Sequence, residues 1–240
     1  NTEDLQADAS ITLNKEYADN STQGDQLFYI GGENQDVSSF QFVDYEIEEK
    51  TEEPFHWEWD ERISPESMKD TQWPAAGKAL VVNYKAPKGI DKDFADVKVQ
   101  VRYEIYDGIP SISKSVHVTN EGKNDVIVDK MEVEILPVPV TLKDALYVEG
   151  TMNSGNENHD RNNGKERYKQ WEDVDGTNGK IISRYAAPAG DNTIAAGMGY
   201  DTGNIGPNYR LAKDETFDSY KVYQMFYSNS YYEWQMMEVK

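Results

Sequence analysis

Three of the five tryptophans stand where their type and spacing could do chemistry. Pro54 to Asp60 reads Pro-Phe-His-Trp-Glu-Trp-Asp. In an extended strand alternate side chains share a face. Phe55, Trp57 and Trp59 then fall on one side, and His56, Glu58 and Asp60 on the other. Trp73 follows, directly before Pro74. Indole rings offer large rigid apolar faces with one polar N–H. The C–H face of a sugar ring stacks on such a surface, and neighbouring polar groups serve its hydroxyls. The candidate carbohydrate-binding residues are therefore Trp57, Trp59, Trp73, His56 and Glu58. Burial of Phe55, Trp57 and Trp59 against a second sheet is the competing account.

Other constellations carry less. His56, His117 and His159 are the only histidines. Epimerisation of a sugar ring needs a general acid and a general base across it, and no partner for His117 can be read from its place on a strand. Asp173-x-Asp175-Gly176-x-Asn178 is rich in hard oxygen ligands of the kind Ca²⁺ takes. Its glycine is misplaced for an EF-hand, and Arg184 stands where the bidentate Glu belongs. A polar turn is the simpler expectation there. No metal site, no cofactor and no catalytic residue is expected in this chain. Asn20-Ser21-Thr22 is a sequon that matters only in a eukaryotic secretory host.

The elements that position these residues must come from an acidic, polar chain. It has 240 residues, with 24 Lys plus Arg against 44 Asp plus Glu, a net charge of −20. A nucleic-acid binder needs cationic surface to displace counterions, so nucleic acid is excluded as a partner. A polybasic membrane-surface role fails for the same reason, and no run is apolar enough to insert in a membrane. Mean hydropathy is −0.80, close to disordered composition. The 16 Tyr, 7 Phe and 5 Trp contradict disorder. The chain has no cysteine, which removes disulfide frameworks and thiol catalysis. It opens on Asn1, and the expectation is a periplasmic or secreted protein with its signal peptide removed.

Apolar alternation gives strands. Gln26–Ile30, Ser39–Tyr45 and Leu80–Tyr84 are the early ones, and residues 1–26 read as irregular. Glu46 to Glu53 is a charge run, read as a solvated edge or loop. From Asp96 to Tyr106, Val97, Val99, Val101, Tyr103 and Ile105 are expected inward, and Lys98, Gln100, Arg102 and Glu104 outward. Asp107-Gly108 is a hairpin signal. Ile109–Asn120 and Val126–Leu136 follow, predicted as an antiparallel meander with the preceding strand and ended by Pro137 and Pro139. Residues 153–180 read as a long polar loop, with later strands over 181–186, 193–200 and 220–227. Ser230-x-x-Glu233 has the form of a capping box, so 230–240 is predicted to begin a linking helix. The predicted fold is all-β: one large antiparallel two-sheet super-sandwich over residues 1–240, with a short C-terminal helix.

Val101-Arg102-Tyr103-Glu104-Ile105-Tyr106-Asp107-Gly108-Ile109-Pro110, with Lys114 and Val118-Thr119-Asn120, resembles a known family. So do Trp73-Pro74-Ala75-Ala76-Gly77-Lys78-x-Leu80 and Phe217-Asp218-Ser219-Tyr220-Lys221-Val222-Tyr223. The resemblance is to the N-terminal, galactose-mutarotase-like super-sandwich domains of bacterial α-galactosidase-like glycoside hydrolases. It implies a non-catalytic domain that supports a C-terminal catalytic barrel of the same protein and can contact an oligo- or polysaccharide, in a polysaccharide-utilising bacterium. None of these segments is a catalytic signature. The rival expectations are a stand-alone carbohydrate-binding module, an aldose epimerase of the mutarotase type, and a packing domain without ligand.

Overall fold

The computed structural model describes residues 7–15, 26–31, 38–51, 59–61, 66, 69–139, 171–173, 178–184 and 207–225. They form twelve strands in two antiparallel sheets of six. One sheet is a meander of β3 (Gln41–Glu49), β4 (Gly77–Lys85), β5 (Val97–Tyr106) and β6 (Ile109–Asn120). Two short strands, β11 (Thr216–Asp218) and β12 (Val222–Met225), close the far edge of β6 one after the other. The other sheet is built on the longest strand, β7 (Val126–Pro139). β1 (Ala9–Asn14) lies on one edge of β7, and β2 (Gln26–Ile30) pairs β1. β9 (Asn178–Arg184) and β10 (Pro207–Leu211) share the opposite edge, and β8 (Trp171–Asp173) pairs β9.

The sheets face each other across one apolar core. Val97, Val99 and Val101 of β5 and Val116 and Val118 of β6 meet Ile11 and Leu13 of β1 and Val126, Val128, Met131 and Val133 of β7. Phe28 packs edge-on against Phe40 and Phe94, with centroids 5.4 and 6.2 Å apart. Asp107-Gly108 turns β5 into β6 as expected, Gly108 taking the positive φ of 76° that a residue with a Cβ resists.

Four expectations need correction. All six residues of β1 are buried, in a segment read as irregular. It is an interior strand, so its intervening Ser10, Thr12 and Asn14 are covered too, and Ser10 Oγ donates to Glu132 Oε2 at 2.8 Å. β7 does not continue the meander. After Asn120 the chain crosses to the other sheet, its turn held by Asn120, whose Nδ2 donates to the Asn124 and Leu211 carbonyls. Pro137 does not end β7, which runs on to Pro139. Ile135 N–H donates to the Asp8 carbonyl, so 137 and 139 address the same edge, beyond the end of β1, where a missing N–H forfeits no ladder bond among the described residues. Finally, Glu104 is 1% exposed and Ile105 is 55% exposed, the reverse of their expected burial. Chain from outside the strand covers Glu104, and the second sheet does not reach Ile105. The predicted helix over 230–240 lies outside the described residues.

At one end of the core the two sheets are tied by charge. Lys114 of β6 lies 2.9 Å from Glu134 of β7, and both are buried. Lys114 also donates to the Asp8 carbonyl, and Gln224 of β12 donates to Glu134 at 2.8 Å. Tyr103 donates to Asp8 at 3.2 Å. Burial, with the Asp8 carboxylate nearby, pushes the Tyr84 phenol up to about 12.

Candidate functional site

Three pieces of chain far apart in sequence meet where the meander sheet ends. The exit of β3, the entry of β4 and the β5–β6 hairpin enclose an open cleft of about 790 Å³. Glu49, Lys50 and Thr51 form one side, Pro74 to Lys78 a second, and Ile105 to Gly108 the third. The Asp107 N–H donates to the Ala76 carbonyl at 2.7 Å, tying two of these sides together. Gly77 is required there: a Cβ would lie 2.2 Å from the Ile105 carbonyl oxygen, a clash with backbone. Lys50 lies over the Tyr106 ring, 5.8 Å from its centroid.

Glu104 is the organiser beneath this cleft. Its Oε1 accepts from the Thr51 N–H at 2.9 Å and from Arg102 Nε at 2.7 Å. Its Oε2 accepts from Lys221 Nζ at 2.7 Å and from the Tyr106 hydroxyl at 3.3 Å. Tyr106 in turn bonds Ser113 at 2.7 Å. Arg102 reaches on to Glu48 at 2.5 Å and to the Glu49 carbonyl at 2.6 Å. Burial raises the carboxyl pKa of Glu104, but Arg102, Lys221 and the Thr51 amide outweigh it and hold it down to about 2. An anion so held is a fixed strut. It is not a proton donor at neutral pH.

This arrangement decides where the tryptophans can act. β3 ends at Glu49 and β4 begins at Gly77, and Thr51 and Pro74, which flank the intervening chain, both line the cleft. Trp73 is half-buried and directly precedes Pro74, a residue of the cleft wall, but does not itself line the cleft. Trp59 is also half-buried but lies outside any strand, and Lys69 Nζ sits 5.2 Å from its ring centroid. One face of that indole is therefore occupied by a cation. Trp57, His56 and Glu58 lie outside the described residues.

His117 sits elsewhere. Its Nδ1 is 2.6 Å from Asp218 Oδ1 and its Nε2 is 2.9 Å from Ser115 Oγ. That hydroxyl–imidazole–carboxylate chain has the connectivity of a catalytic triad. Ser115 is nonetheless only 4% exposed, on a strand whose ladder bonds take up its backbone amides. Among the described residues no donor pair is left beside Ser115 to receive an oxyanion. The chain of bonds fastens β11 to β6. Nor does His117 face Glu104: it pairs in register with Gln100, and Glu104 pairs with Ser113. Four residues separate the two, about 13 Å along a strand. Asp173 ends β8 and Asn178 begins β9, so they flank the turn of a hairpin, and Asp175 lies outside the described residues. Among the described residues no three His, Asp or Glu side chains are grouped to hold a metal ion. No helix among them is long and apolar enough to cross a membrane.

Sequence reasoning missed Glu104, Lys221, Thr51 and Tyr106 as a unit. Glu104, Tyr106 and Lys221 do lie within the segments that carry the family resemblance, the one signal that could have drawn them together. The chain matches no protein-family model and no curated protein. Among solved structures it is similar to the galactosidase domain of the α-galactosidase–sucrose kinase AgaSK, with a TM-score of 0.40 and 13% identity. The match covers 77% of this chain and 27% of that one.

Proposed function

We propose that this chain is a non-catalytic β-sandwich domain of a bacterial carbohydrate-active enzyme, exported to the periplasm or beyond. It would support a catalytic barrel of the same protein and contact an oligo- or polysaccharide in the cleft at the end of the meander sheet. One observation carries the reading. The three segments that resemble glycoside-hydrolase super-sandwich domains converge on this cleft: Pro74 to Lys78 and Ile105 to Gly108 line it, and Lys221 braces it through Glu104. Its walls suit a sugar. Pro74, Ala75, Ala76 and Ile105 offer apolar contact, and Glu49, Thr51, Lys78 and Asp107 offer donors and acceptors.

The test is binding of a panel of neutral oligo- and polysaccharides, followed by affinity electrophoresis and calorimetry. Trp73→Ala is expected to weaken binding by roughly 1–3 kcal/mol, the cost of losing an aromatic anchor. Trp59→Ala is expected to change it less, because Lys69 already covers one face of that ring. Unchanged binding in Trp73→Ala would remove Trp73 from the sugar surface, and unchanged binding in Asp107→Ala, at a residue that lines the cleft, would remove the cleft from consideration. The purified chain is expected neither to hydrolyse an aryl α-galactoside nor to speed sugar mutarotation in a polarimeter, because Glu104 is saturated and His117 is committed to Asp218 and Ser115.

A further inference from the structure

Among the described residues the outer edge of β3 is a long unpaired one, whereas β8, which ends the other sheet, has only three residues. The edge of β2 is closed by residues 38–40: the Tyr29 N–H donates to the Ser38 carbonyl at 2.7 Å, and the Phe40 N–H donates to the Tyr29 carbonyl at 2.8 Å. The edge of β6 is closed by β11 and β12. β3 pairs β4, and among the described residues nothing pairs with its other side. Its nine residues span about 30 Å, and all but Gln41 are exposed.

The two faces of this edge differ in kind. Tyr45 and Ile47, each 62% exposed, and Phe42 lie on the sheet's inner face, beyond the reach of the second sheet. Leu80 and Ile105 continue that apolar surface across the neighbouring strands. Asp44, Glu46 and Glu48 lie on the other face. Natural proteins guard a long edge with lysine, proline or a covering element. Residues 41–49 contain no lysine and no proline. Asp44 accepts from Asn83 at 2.7 Å, Glu48 from Arg102 at 2.5 Å, and Glu49 pairs with Lys78. Glu46 has no such partner among the described residues.

We propose that the outer edge of β3 is a docking site for an extended segment of a partner polypeptide, apolar at alternate residues and basic between them, which adds as a further strand of the sheet. Charge selects this occupant. A second copy pairing antiparallel would set Asp44 and Glu46 beside the same residues, between two chains that each carry a net −20. A basic strand neutralises Asp44 and Glu46, while its apolar side chains extend the surface of Phe42, Tyr45 and Ile47. Main-chain bonds then supply affinity and the alternating side chains specificity. The inference is independent of the sugar cleft and stands or falls without it.

Three nine-residue peptides test it on the whole chain: one alternating lysine with valine or tyrosine, one of the same composition with its lysines grouped at one end, and one alternating with glutamate in place of lysine. Binding is read by fluorescence anisotropy and mapped by amide exchange. The alternating basic peptide is expected to bind at least about tenfold tighter than the grouped one and to slow exchange across 41–49. Glu46→Lys, at an exposed position, should weaken that peptide roughly threefold to tenfold and let the glutamate peptide bind. Equal binding of the two basic peptides would reduce the effect to net charge and overturn the proposal. So would protection mapped away from 41–49, or no binding at about 1 mM. Concentration-dependent dimerisation that protects 41–49 without peptide would assign the edge to a second copy instead.

Discussion

Glu104 and Glu134 are both buried carboxylates paired with a lysine, yet they join different things. Glu134 lies between the sheets and receives Lys114 and Gln224 from the sheet opposite its own. Glu104 lies on the outer face of the meander sheet. Its partners are neighbours on its own strand, Arg102 and Tyr106, and the passing segments at Thr51 and Lys221. The first carboxylate fixes one sheet against the other. The second fixes the ends of loops against one sheet, and so shapes the cleft. A buried ion pair stabilises little over an apolar pair of the same shape, but an orphaned member is costly. The two sites should therefore fail differently when a partner is removed.

The largest effect is expected between the sheets. Lys114→Ala leaves Glu134 with Gln224 alone and should cost about 3–5 kcal/mol in urea denaturation, whereas Lys114→Met combined with Glu134→Leu should recover most of that loss. A cost below about 1 kcal/mol for Lys114→Ala would show that this pair does not hold the sheets together. At the outer site Glu104→Gln should cost about 2–3 kcal/mol, the range for hydrogen bonds to charged groups, and should loosen the cleft. It should also change the acid limb. The folded pKa of Glu104 is depressed from 4.5 to about 2. Its contribution is therefore complete above the unfolded value and is lost as pH falls from about 5 towards 2. Glu104→Gln should flatten the stability profile in that window, and an unchanged profile would place the acid sensitivity elsewhere. The smallest effect is expected from Asp218→Asn, which breaks a part-exposed pair with His117 and should cost about 1 kcal/mol or less.

How much of this was legible depended on how local the cause was. Asp107-Gly108 and the valines of β5 announced a hairpin because turn chemistry and alternation act within a few residues. The two-sheet, all-β architecture followed from such segments. β1 was hidden because its polar residues are covered by strands more than a hundred positions later in the chain, such as Glu132 over Ser10. Glu104 was misread for a related reason: alternation tells which way a side chain points, and Thr51 and Lys221 decide what lies there. Trp73 was legible as an aromatic candidate, but the cleft that its neighbour Pro74 lines exists only where β3, β4 and β5 end together. Trp59 was placed on a strand and lies outside one, with Lys69 against its ring.

The closing of β6 by two short strands has a consequence for the order of assembly. His117 waits 101 residues for Asp218, while the meander from β3 to β6 is built from neighbours in sequence. Contacts that close small loops form early, and those that close large ones come late. On a ribosome the meander can pair as soon as residues 41–120 have emerged. β1 can pair β2 early, but its other edge stays open until β7 arrives, since Ser10 and its partner Glu132 are 122 residues apart. During that interval a half-built sandwich presents the valines of β5 and β6 to the solvent, together with the still-open edge of β6. A nascent chain stalled there is the species most exposed to aggregation and to chaperone capture.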